Sequence, residues 1–98
     1  MKVFLKIHVR NEIETVAACD EDLLNQVFKE GNLKIEISSY FFGGILIQLE
    51  EAIDILKQAP SFNIVGKNLI NKAIDCELLP KEGYRSINGV PMAMKMML

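Results

Sequence analysis

The sequence has no tryptophan, one histidine, three prolines and two cysteines. Cys19 and Cys76 form no CxxC pair, and with His8 alone they are too few for a Cys/His zinc site. They read as two buried thiols of a reducing compartment, acting as small apolar side chains. No apolar run approaches the ~20 residues that a membrane-spanning helix needs. The opening MKVFLKIHVR carries charge every few residues and lacks the unbroken apolar stretch of a signal peptide. The expectation is therefore a cytoplasmic chain with no membrane contact. There is no GxxxxGK[ST] phosphate loop, no RNP pattern, no internal repeat and no low-complexity linker. Nothing in the sequence implies a metal or a cofactor. The net charge of −2 supplies no global field that would gather nucleic acid.

What is present is apolar and patterned. Half of the 98 residues are hydrophobic, and the mean hydropathy is +0.19, as suits one packed domain spanning 1–98. Val3, Leu5, Ile7 and Val9 alternate with Lys2, Phe4, Lys6, His8 and Arg10, the period of a half-buried strand. Glu12–Cys19 reads as the returning strand, with Asn11-Glu12 as the turn pair, Ile7 facing Val16 and Leu5 facing Ala18. Asp20 is placed to cap a short helix with Glu21 and Asp22 in its first turn, Leu23, Leu24, Val27 and Phe28 on its apolar face, and Gly31 at its end.

Leu33, Ile35 and Ile37 alternate as a further strand, and Ile45–Ile47 as a short one. Leu49, Ala52, Ile53 and Leu56 fall at i, i+3, i+4 and i+7, a helix with one buried stripe stopped before Pro60. Residues 61–79 read as an extended piece and a second helix, with Val65, Leu69, Ile70, Ala73 and Ile74 on one face. Tyr84–Ile87, Asn88-Gly89 and Val90 onward form a hairpin, because Asn-Gly suits a type I′ turn. The fold class is α+β: a mostly antiparallel sheet with N- and C-terminal hairpins and about three helices packed mainly on one face. Its core face carries Val3, Leu5, Ile7, Val16, Ala18, Leu33, Ile35 and Ile37.

Four segments in this order, ACDEDLLNQVFKEGNLKIEIS, FFGG, NIVGKNLINKAI and INGVP, resemble an archaeal family known as domain of unknown function 424. The resemblance runs from about Lys2 to Pro91. It implies an archaeal, cytoplasmic, single-domain protein and brings no reaction with it. Family members tend to carry a polar residue, often histidine, after Gly-Val-Pro; this chain has Met92 there.

Several places can carry function. Gly43-Gly44 after Phe41-Phe42 reads either as a bend or bulge between sheet and helix, or as a binding loop with one exposed phenylalanine. A helix starting at Gly66 offers free N–H groups, with Lys67 beside them, as a phosphate or carboxylate site; an ordinary capped start explains the same residues. Lys2, Lys6, His8 and Arg10 with Phe4 form a basic strand face, suited to RNA or simply solvated. Cys19 precedes a helix start, but three acids follow it and no base faces it, so a structural thiol is expected. The tail VPMAMKMML, with Met92, Met94, Met96 and Leu98 on one side, reads as an edge strand able to pair with a second copy.

No set of residues makes a credible catalytic centre, so the expected function is a binding or adaptor module. Its partner is expected to be a protein or a ribonucleoprotein, with a link to translation as one option, held by Phe42, Gly43, Gly44, Asn63, Gly66 and Lys67 where two loops converge. The alternatives are an RNA-binding domain using the Lys2–Arg10 face, and a small enzyme or anion binder using the Gly66 helix terminus.

Overall fold

The computed structural model describes residues 1–96, and Leu98 of the methionine-rich tail lies outside them. The fold is α+β. The first strand, β1 (Lys2–Arg10), and β2 (Ile13–Asp20) form the expected hairpin. Ile7 faces Val16 and Leu5 faces Ala18. Asn11 and Glu12 both take positive φ, 51° and 66°, which is the type I′ pattern.

The stretch after Asp20 departs from expectation. Only a 3₁₀ turn, Glu21–Leu23, forms there. The chain then makes a second hairpin, β3 (Val27–Glu30) and β4 (Leu33–Glu36), in a separate two-stranded sheet. Leu23, Leu24, Val27 and Phe28 fit a helical face, but Val27 and Phe28 are also good strand formers. The pairing of Glu30 with Leu33 leaves Gly31-Asn32 as a two-residue turn. Gly31, at φ +59°, serves that turn and does not end a helix. Ile37 is fully buried, Ile35 half-buried and Leu33 41 % exposed, and the buried part of that run packs with Ala17, Cys19 and Val65, not with Val3, Leu5, Val16 and Ala18 as expected.

Next come α1 (Ser39–Phe42), β5 (Ile45–Gln48), α2 (Leu49–Gln58), β6 (Ser61–Val65), α3 (Lys67–Asp75), β7 (Arg85–Ile87) and β8 (Val90–Lys95). The main sheet runs β5-β1-β2-β6-β8-β7, antiparallel except where β2 pairs with β6. The stripe Leu49, Ala52, Ile53 and Leu56 is wholly buried. With Leu69, Ile70 and Ala73 of α3 it packs on Val3, Leu5, Val16, Ala18, Phe62 and Ile64. Burying each large aliphatic side chain contributes about 1.5–3 kcal/mol, so this layer is the principal core. The opposite sheet face carries a smaller cluster of Ala17, Cys19, Ile37, Phe42 and Val65, roofed by α1 and the β3–β4 hairpin. Two of the three α-helices thus share one face.

Two further expectations are corrected. Ile7, expected in the core, is 47 % exposed, and Val9 on the same face is 68 % exposed. The C-terminal strand is not the sheet edge: β8 lies between β6 and β7, and the short β7 is outermost. The Asn88-Gly89 turn is as expected, with φ of 50° and 79°. No helix among the described residues is long and apolar enough to cross a membrane.

Candidate functional site

The Phe41-Phe42-Gly43-Gly44 element is a single helical turn and its exit, not an extended segment. Ser38 caps α1 by accepting from the Phe41 N–H at 3.2 Å. Helical geometry turns Phe42 into the smaller core, where it is 5 % exposed. Phe41 is half-buried between His8 and Phe42. Neither glycine has positive φ. What they supply is close approach. A Cβ on Gly44 would run into the Leu5 carbonyl oxygen, and one on Gly43 would sit 2.5 Å from the Ser39 carbonyl oxygen. The glycine pair lets the chain leave α1 and press against β1 before β5 begins.

The Gly66 terminus is filled from within. Gly66 takes φ 122° and ends β6. The Asp20 carboxylate accepts the α3 amides of Asn68 and Leu69 at 2.9 and 3.0 Å. Those are the free N–H groups that an outside anion would need. Asp20 is therefore an N-terminal capping residue, as its type suggests, but for the distant helix that starts at Lys67 and not for the local turn that starts at Glu21. Lys67 is exposed beside it, near the Asn88-Gly89 turn.

The basic face is partly closed by α1. Lys6 Nζ donates to the Tyr40 carbonyl at 2.6 Å and lies 5.1 Å from the centre of its ring. His8 Nε2 donates to the Phe41 carbonyl at 2.8 Å, with its ring stacked on Phe41 at 4.7 Å. Phe4 packs into the smaller core, which removes β1's own aromatic from base stacking; the exposed aromatic on this face is Tyr40, 83 % exposed beside Lys6. Lys2 and Arg10 stay exposed at the two ends.

Cys19 is fully buried and faces Phe4. Burial, with Asp20 and Asp22 nearby, pushes its thiol up to about 12. Only the thiolate is a good nucleophile, so a thiol reagent should modify the half-buried Cys76 in the native protein and leave Cys19 intact until denaturant is added. Mass spectrometry of the labelled peptides checks this; fast native labelling of Cys19 would show that the strand end opens.

A groove of about 500 Å³ opens on the smaller-core side of the sheet. Phe42, Asn63 and Val65 lie in its floor, and Tyr84, Met92 and Met94 in its wall. The structure therefore brings Phe42 and Asn63 together. It places Gly44 against β1, and Gly66 and Lys67 around Asp20, away from that groove. Met92 and Met94 were in view in the sequence only as tail residues. Tyr84 carried no signal beyond following Gly83.

No curated protein matches the sequence. The structure is similar to the crystal structure of an uncharacterized conserved protein from Methanopyrus kandleri, with a TM-score of 0.86 and 24 % identity over 100 % of this chain and 93 % of that one. At that identity the likeness speaks for the fold. The model of one family, protein of unknown function DUF424, matches residues 7–98, nearly the whole chain, and the chain belongs to that family.

Proposed function

We propose that this protein is a non-enzymatic binding module of the archaeal cytoplasm, and that it takes an apolar side chain of a protein partner, alone or within a ribonucleoprotein, into the Phe42–Asn63 groove. The observation that carries this reading is the groove itself. Its volume of about 500 Å³ lies within the range of sites that hold a ligand or an anchoring side chain. Tyr84 and Met94 line it while 44 % and 63 % exposed, and methionine adapts to a partner's shape. Asn63 adds a polar group that can fix orientation. The groups best suited to chemistry are engaged otherwise: the His8 ring with Phe41, the Asp20 carboxylate with α3, and the Cys19 thiol with burial.

Tagged protein and its Met94→Lys variant, each incubated with native archaeal lysate with and without nuclease, test this reading. The expected result is a nuclease-resistant protein retained by the wild type and lost by Met94→Lys, followed by direct binding of that protein once purified. Retention that survives Met94→Lys, or that depends wholly on intact RNA, overturns the groove reading. Met94 is exposed, so the variant should fold.

A further inference from the structure

The β1 edge is open over half its length. The outer strand β5 pairs only with Lys2–Leu5 of β1, through Gln48, Ile47, Leu46 and Ile45. Among the described residues, Lys6–Arg10 are paired with β2 on one side and with no strand on the other. The Gly43-Gly44 exit sets this limit, because the chain leaves the edge where Gly44 meets Leu5 and Lys6. About 17 Å of strand, at 3.4 Å per residue, is thus without a neighbour. Alternate residues of such an edge present unpaired N–H and C=O groups.

The two faces of this edge differ. On the α2 side Ile7 and Val9 are 47 % and 68 % exposed, and Ile45, whose register partner is Leu5, is 58 % exposed. These three side chains form an apolar stripe along the open edge. On the other side lie Lys6, His8 and Arg10, with no acid of β1 among them; Lys6 and His8 already donate to the Tyr40 and Phe41 carbonyls, and Arg10 is the exposed cation of this edge. The pattern also weighs against a second copy in the register that would align the apolar residues. Antiparallel self-pairing centred on His8 would join Ile7 to Val9 but set Lys6 of one copy against Arg10 of the other, and like charges directly opposite are destabilising.

We infer that the open edge of β1 receives an extended segment of a partner protein, whose residues alternate between apolar side chains and carboxylates. The added strand completes the ladder beside Lys6–Arg10, lays its apolar residues on Ile7, Val9 and Ile45, and sets an acid beside the exposed Arg10. This surface is separate from the Phe42–Asn63 groove and stands without it.

The test is NMR titration of ¹⁵N-labelled protein with a short capped peptide of alternating valine and glutamate, at low salt. The expected shifts centre on the amides of Ile7–Arg10 and on Ile45. Val9→Lys should weaken binding by up to about fivefold, the scale set by cross-strand pairs, whereas Met94→Lys should leave it unchanged. A valine–lysine peptide of equal length should bind more weakly. The inference is overturned if the shifts fall around Met94, or if the lysine peptide binds as well. It is equally overturned if no amide of Lys6–Arg10 moves, or if the free protein is already a dimer that Val9→Lys dissociates. Val9 is largely exposed, and the variant's own spectrum reports whether the hairpin is intact.

Discussion

Replacing Gly44 by alanine should lower stability by roughly 3 kcal/mol or more, the upper part of the range for overpacking. The added Cβ would run into the Leu5 carbonyl oxygen, with the Leu5 carbonyl carbon and the Lys6 Cα each at 2.9 Å. All three are backbone atoms of β1. That strand is held by β2 on its other side over its full length, so it cannot give way without disturbing the main ladder. Gly31→Ala is the comparison. Nothing lies within 4 Å of its Cβ position, but φ is +59°, and left-handed backbone costs an alanine about 1 kcal/mol. Urea unfolding should show a large fall in midpoint for Gly44→Ala and a small one for Gly31→Ala, with similar slopes. A Gly44→Ala protein within ~1 kcal/mol of wild type would mean that the chain does not pass β1 this closely.

The same glycine shows how far a sequence can be read. That the pair Gly43-Gly44 marks a change of direction is visible in the residues. That the pair is needed for close approach to β1, with ordinary φ, requires knowing which strand lies beside it. The terminal hairpins were legible because turn chemistry is local: Asn11-Glu12 and Asn88-Gly89 set the register of their own strands. The faces of α2 and α3 were legible because spacing alone selects Leu49, Ala52, Ile53 and Leu56, or Leu69, Ile70 and Ala73. Residues 20–31 failed because Leu23, Leu24, Val27 and Phe28 satisfy a helical face while Gly31-Asn32 satisfies a two-residue hairpin turn. Tertiary contact decided for the hairpin, whose Phe28 and Ile35 pack on the smaller core.

The candidate site was legible in pieces. Phe42 and Asn63 line one groove, because β6 lies next to β2, on which α1 packs. That adjacency depends on the parallel pairing of β2 with β6, a crossover that no local pattern encodes. The tail methionines signalled an adaptable apolar surface, but their position inside the sheet depends on β7 folding outside them. The basic strand was correctly seen as one face. Its partial closure by Tyr40 and Phe41 carbonyls could not be read from β1 alone.

The second large effect belongs to Asp20. Asp20→Ala should cost about 3 kcal/mol, combining a lost helix cap with two amides left without an acceptor. Leu69 is fully buried, and Asp20 itself is 4 % exposed, so water is poorly placed to replace the carboxylate. Gly66 belongs to the same device: a Cβ there would lie 2.5 Å from Asp20 Oδ2. The pH dependence separates the cap from the charge. Burial pushes the Asp20 carboxyl above its ordinary value of 3.8; the Asn68 and Leu69 amides pull it down, Asp22 pushes it up, and the net shift is upward. The folded protein therefore holds this proton more tightly than the unfolded chain. Through this group stability is greatest below about pH 3.8 and is lost as pH rises through the raised folded value. Asp20→Asn removes the titration. The gap between wild type and Asp20→Asn, from unfolding curves at a series of pH values, should shrink as pH climbs from 3.8 through that window and then level off. A gap that widens with pH would show instead that the two amide hydrogen bonds outweigh burial. In that case the ionised cap, more than the packing around it, holds α3 to the end of β2.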